Sequence, residues 1–201
     1  MPKNTSDLIL RDRLQFDLDE DGDRTTVYGR FDLSEFVSTL DRKGLSIKEI
    51  HFMLRDPTSG NCGNYRLAQG KDTNASTTAV QYSSLKLFAT TRAYENANQV
   101  GIASPDVLVV ETFDAYLGPQ SIQEPQVQNS TYMHSTHMKY PTSDLHPDGF
   151  PVVTDLLVGI ATDGWDLYDD QTIELDVMLI AEPITITQKQ LTEMLVQGQD
   201  Q

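Results

Sequence analysis

The stretch Thr172-Ile-Glu-Leu-Asp-Val-Met-Leu-Ile-Ala-Glu-Pro183 decides the fold class. Ile173, Leu175, Val177 and Leu179 alternate with Glu174, Asp176 and Met178, the period of two that a β-strand shows when one face packs on a core. On that reading Glu174 and Asp176 point to solvent. Just beyond Pro183, Thr187-Gln-Lys-Gln190 fits a capping box, with Leu191, Met194 and Leu195 at helical spacing. A C-terminal helix is therefore expected, fraying into Gln197 to Gln201.

Working outward toward the N-terminus, the same signs recur. Val152 to Thr162 is apolar and β-rich, bounded by a loop from Pro141 to Pro151 and a turn at Asp163-Gly164. Behind Pro105, Val107-Leu-Val-Val-Glu-Thr-Phe113 is a nearly continuous run of the kind a strand makes when both faces are covered. Val127 to Met138, Ala79 to Tyr94 and Leu45 to Leu54 supply three more strands, the last broken by the Gly- and Asn-rich run Asp56 to Asn64. Leu14, Phe16 and Leu18 alternate before the turn-rich run Asp19 to Asp23, and Val27, Gly29, Phe31 and Leu33 alternate after it, which predicts an antiparallel hairpin. A short helix should follow, with Asp32 or Ser34 as N-cap, Phe36 and Leu40 on one face and Gly44 as its stop. The sum is a mostly β chain: eight strands in an antiparallel jelly-roll sandwich, with a short helix after the second strand and another at the C-terminus.

Length and composition bound what such a chain can do. At 201 residues it fits one domain, expected as a flexible arm over 1–10, a sandwich over 11–186 and a helix with tail over 187–201. Thirty acidic against 15 basic side chains give a net charge of −15. Such a surface repels phosphate backbones, and the short basic pairs Arg11 with Arg13 and Arg42 with Lys43 are diluted by Asp12 and Asp41, so direct nucleic-acid binding is not expected. The same charge, with a mean hydropathy of −0.39, suits a halophilic or marine source. No export signal or apolar run of membrane-spanning length is present, which predicts a soluble, cytoplasmic chain unless it is packaged in a virion. The single Cys62 has no partner thiol, and the sequons at Asn4, Asn74 and Asn129 are not expected to carry glycans.

The candidates for chemistry are few, and each has a plainer reading. Asp17-Leu-Asp-Glu-Asp-Gly-Asp23 opens like a calcium loop, but its twelfth position is Tyr28 rather than a bidentate Glu, so an acidic turn is the expectation. His134, His137 and His146 with Asp148 could surround a metal, yet residues three apart on a strand face opposite sides. The acids Asp166, Asp169 and Asp170, or Glu174 with Asp176, could be read as a glycosidase pair, but such pairs arise by chance in an acidic chain. Trp165 and Tyr168 could stack on a sugar; a plug at the end of the sandwich is the simpler role for the Trp. No Gly-X-Ser-X-Gly elbow or phosphate-binding glycine loop occurs. No catalytic, cofactor-binding or metal residue is therefore assigned, and no enzyme is expected.

Eight strands, a short helix after the second, an acidic chain and a closing segment from Glu174 through Pro183 into Thr187 to Val196 resemble the coat proteins of icosahedral viruses, most closely the single jelly-roll capsid proteins of archaeal viruses. That resemblance is architectural. It implies a structural subunit whose partners are other copies of itself and other virion proteins, packed side by side into a shell that could overlie a membrane without spanning it. It carries no functional residue over. The alternatives are a carbohydrate-binding or adhesive sandwich and a hydrolase with an acidic site.

Overall fold

The computed structural model describes residues 7–20, 24–55, 81–104, 106–119, 131–141, 149–165 and 170–197. Nine strands form in chain order: β1 (Leu8–Asp17), β2 (Arg24–Phe31), β3 (Lys43–Arg55), β4 (Gln81–Thr90), β5 (Val107–Pro119), β6 (Thr131–Tyr140), β7 (Phe150–Val152), β8 (Leu156–Asp163) and β9 (Thr172–Thr185). Among the described residues one α-helix, α1 (Gln188–Gln197), follows them, and a single 3-10 turn, Ala97–Gln99, lies between β4 and β5. Two antiparallel sheets result, ordered β1-β9-β3-β7 and β2-β8-β4-β5-β6. Four of the pairings are nested in the chain: β1 with β9, β2 with β8, β3 with β7 and β4 with β5.

The alternating residues of β9 carry out the reading made from them. Ile173, Leu175, Val177 and Leu179 are buried in the main core, where they meet Leu45, Ile47 and Ile50 of β3 and Leu85 and Leu87 of β4. Each fully buried aliphatic side chain of this kind contributes about 1.5–3 kcal/mol relative to exposure. Pro183, expected to end the strand, lies inside it. Among the described residues β1 pairs only as far as Ala181, so no described strand on that side calls for an N–H at residue 183. The β5 run is covered on both faces: Val109 joins the main core while Val110 packs with Phe88 and Val100 on the opposite side. Gly159 makes room for that second cluster, since a Cβ there would collide with the Phe88 ring.

Several expectations are corrected. β1 and β2 are not a hairpin; they lie in different sheets, β1 beside β9 and β2 beside β8. Alternation on either side of a turn is the same whether the chain folds back in one sheet or crosses to another, and here Leu18 N–H bonds to Gln171 O, carrying the chain along β9. Residues Leu8 to Leu10, assigned to the arm, already pair with Leu179 to Ala181. The helix after β2 does not form. Asp32 Oδ1 accepts the Ser34 N–H at 2.9 Å, and the Phe36 and Val37 N–H groups both turn to Leu33 O. After that single turn Ser38 pairs with Lys43 in a tight reversal, with Arg42 at φ 56° and Leu40 94% exposed at its tip. The expected strand over 152–162 is two, because Val153 to Asp155 carry the chain from the first sheet to the second; Asp155 Oδ1 there accepts the Leu33 N–H at 2.9 Å. Among the described residues there are thus nine strands rather than eight, divided four and five.

The C-terminal helix follows its sequence signal. Gln190 N–H donates to Thr187 Oγ1 at 3.3 Å and Thr187 N–H to Gln190 Oε1 at 3.1 Å, the reciprocal bonds of a capping box. Leu191 packs with Val153 and Ile186 in a small cluster of its own.

Candidate interaction surface

The outer face of the first sheet is where strand pairing concentrates charge. Odd-numbered residues of β1 and even-numbered residues of β9 share that face, and the register aligns them in rows: Arg11, Met178 and His51; Arg13, Asp176 and Met53; Gln15, Glu174 and Arg55. Arg13 Nε donates to Asp176 Oδ1 at 2.6 Å and lies 3.7 Å from Glu174 Oε2. Arg55 Nη1 reaches the same Glu174 oxygen at 3.3 Å, and Gln15 Nε2 donates to Glu174 Oε1 at 2.9 Å. Its hydrogen bond to the Asp176 carboxylate holds the Arg13 guanidinium above its ordinary pKa. Glu174 is therefore only 8% exposed, which corrects the expectation that solvent is its neighbour. At one edge, Lys48 bridges Asp7 at 2.7 Å and Glu182 at 3.1 Å, and those bonds raise its pKa.

Between these rows lies an open groove of about 680 Å³, lined by Arg11, Arg13, His51, Met53, Asp176 and Met178 among others. Two methionines give it an apolar floor that can adapt to a bound surface. Met53 and, further along β1, Ile9 are both more than half exposed.

A second polar group stands on the inner face of the other sheet. Glu111 of β5 sits opposite Leu87 of β4 and is 6% exposed. Its Oε1 lies 2.7 Å from His137 Nε2, its Oε2 lies 3.7 Å from Lys139 Nζ, and Lys139 donates onward to Ile50 O at 3.0 Å. The His137 ring stacks on Phe113 at 4.2 Å. The lysine thereby ties β6 to β3 across the sandwich.

The residues singled out from sequence are mostly scattered. Asp17 accepts a 2.6 Å bond from Thr172 Oγ1, and Asp19 O accepts the Asp170 N–H, so the first and last connections meet at one end of the sandwich; residues 21–23 lie outside the described residues. His134 and His137 both lie on β6, where His137 is held by Glu111. His146, Asp148, Cys62, Asp166, Tyr168, Asp169 and the three sequons lie outside the described residues. Among the described residues no group of three or more His, Cys, Asp or Glu could hold a metal ion. Trp165 is 0% exposed in the main core, which overturns its reading as a stacking platform. Glu174 and Asp176 share a face and are both engaged by Arg13. Sequence reasoning missed the groove and the Glu111 group. The available signal was the alternation of Arg11, Arg13 and Gln15 with Leu10, Asp12 and Leu14, which puts the cations on one face.

Comparison with known protein families finds no family whose profile matches the chain, and comparison with curated proteins finds no match. Among the described residues no helix is long and apolar enough to cross a membrane.

Proposed function

We propose that this chain is a jelly-roll coat subunit that assembles by lateral contacts into a virion shell, without catalytic activity of its own. The observation that carries the reading is the nested pairing β1–β9, β2–β8, β3–β7 and β4–β5 distributed over two sheets. Such nesting supports a jelly roll, a long antiparallel hairpin rolled into a sandwich, with β6 added beyond β5. The partners are other copies and other virion proteins. With a net charge of −15, packaged nucleic acid is left to a different protein, and the acidic surface suits a high-salt environment. The adhesive alternative is disfavoured by the burial of Trp165.

The test is the assembly state of the purified chain at micromolar concentration in high salt, by electron microscopy and light scattering. Regular arrays or closed particles are the expected outcome. A strict monomer, alone and in low salt alike, overturns the reading.

A further inference from the structure

We infer that the outer edge of the five-stranded sheet, strand β6, is the docking site for a second copy of this chain, which pairs its own β6 there antiparallel about a two-fold axis. The inference rests on the coat reading in so far as copies of the chain meet, and it names one contact through which they do.

An edge strand presents a row of unpaired N–H and C=O groups, and a protein that keeps such a row from pairing guards it with charge, proline, a bulge or shortness. Among the described residues the two sheets leave four edges, β1, β7, β2 and β6. Three of them are guarded. β1 carries Arg11, Asp12, Arg13 and Asp17, and β7 is three residues long with Pro151 at its centre. β2 carries Arg24 and Arg30, and its register with β8 shifts between Arg24 and Val27. β6 has no such guard. It runs ten residues in unbroken register with β5, from Thr131 opposite Pro119 to Tyr140 opposite Val110, and contains no Pro, Gly, Asp or Glu. Its one Lys, Lys139, stands next to the end of the strand and turns inward to Glu111 Oε2 and Ile50 O, which leaves residues 131–138 without Lys or Arg. Residues 134–138 and Tyr140 are all exposed, Met138 by 55% and Tyr140 by 50%.

Charge and symmetry choose the occupant. At a net charge of −15, two copies brought together over most of their surface set acid against acid. β6 against β6 brings no acid to the seam. The nearest acids of the adjoining strand, Glu111 and Asp114 of β5, stand one strand back. Those of the two copies are then three strand spacings apart, about 14 Å, beyond the screening length of about 8–10 Å at physiological salt. The strand that docks must itself be extended and unpaired along one side, and β6 meets that requirement. A two-fold axis perpendicular to the sheet lays β6 antiparallel to its mate and joins the two five-stranded sheets into one. Such an axis keeps each face continuous, so Met138 and Tyr140, two positions apart on one face, gain cover from the neighbouring copy. The contact is closed on itself, leaving other surfaces to the remaining contacts of a shell.

Sedimentation equilibrium and hydrogen exchange on the full chain test this. Ser135 is exposed at mid-strand, opposite the uncharged Ala115. Ser135→Glu and Ser135→Lys each set like charges against one another across the seam. Both are expected to weaken dimerisation by about five-fold, the lysine variant doing so although it lowers the net negative charge. An equimolar mixture of the two should recover wild-type dimerisation. Leu40→Glu, which adds the same charge at a tip 94% exposed, should leave it unchanged. In the wild type, exchange of the β6 amides should slow as concentration rises, a measurement that decides the matter if a Ser135 variant fails to fold by circular dichroism. Equal weakening by Leu40→Glu, no recovery in the mixture, or β6 amides indifferent to concentration in a protein that associates overturns the inference and leaves the coat reading standing. A wild type that never associates overturns both.

Discussion

Replacing Lys139 by Met should cost more than replacing the acid it faces, although the acid is the more deeply buried of the two. Glu111 lies on the inner face of β5 beside Leu87, with His137 Nε2 at 2.7 Å and Lys139 Nζ at 3.7 Å as its cationic neighbours. Among the described residues its Oε2 accepts no hydrogen bond, so Lys139 supplies only Coulombic compensation there. Lys139→Met removes that compensation and also the donor to Ile50 O. Leaving a buried carbonyl unpaired costs about 1–3 kcal/mol, and an uncompensated buried carboxylate adds a further penalty, moderated here because His137 remains. A loss of about 3 kcal/mol is the working figure. In a chain of this length it lowers Tm by about 6–12 °C. Glu111→Leu behaves differently. It deletes the buried charge, leaves the Lys139 bond to Ile50 O in place and frees a half-exposed His137 to meet water. Its cost should be within about 1 kcal/mol of zero, because apolar replacements of buried charged groups are often neutral. The double variant should then be more stable than Lys139→Met alone. Urea unfolding with an unchanged m-value measures all three. Simple additivity, or a Glu111→Leu penalty equal to that of Lys139→Met, refutes the reasoning.

Two further predictions concern other parts of the sandwich. Tyr28 OH donates to Tyr94 O at 3.1 Å and accepts the Tyr94 N–H at 2.8 Å, so Tyr28→Phe should cost about 1–3 kcal/mol in thermal or urea unfolding. Burial raises the Tyr28 pKa above 10.0; its contribution is fully present below that pH and fades as pH rises through the higher folded value, so the penalty of Tyr28→Phe should shrink in strong alkali. Trp165, the chain's one tryptophan, is buried in the main core, so native fluorescence should resist acrylamide quenching and Trp165→Ala should cost about 3–5 kcal/mol. An indole quenched as freely as in the unfolded chain would contradict that placement.

The two-residue period was legible wherever one strand face meets the main core. It gave β9 from sequence, the continuous apolar run behind Pro105 gave the doubly covered β5, and the Thr187 and Gln190 pair announced α1. Features set by which strand lies alongside which were not legible. The alternation around residues 19–23 is shared by a hairpin and by a crossing between sheets, so β1 and β2 were joined wrongly. The helix expected after β2 failed for a local reason: Ser38 pairs with Lys43 and reverses the chain before a second turn can be added, stranding Leu40 in solvent. The apolar run at 152–162 concealed a change of sheet because its corner, Val153 to Asp155, keeps one apolar residue, Val153, that packs against α1 rather than the main core.

The candidate surface was hidden for the same reason, at longer range. Periodicity says which face a side chain takes, and it placed Glu174 and Asp176 on the side away from the core. Whether that side is wet depends on the neighbouring strand. Here β9 is flanked by the first strand of the chain and by β3, so Asp176 meets Arg13 from 163 positions away and Glu174 is enclosed by Arg13, Arg55 and Gln15. Pairing has thus turned an exposed acidic stripe into an ordered polar lattice in which the acids of β9 are already neutralised by cations of both flanking strands. Arg11 is the residue this lattice leaves over, because its row offers Met178 and His51 where the next row offers Asp176.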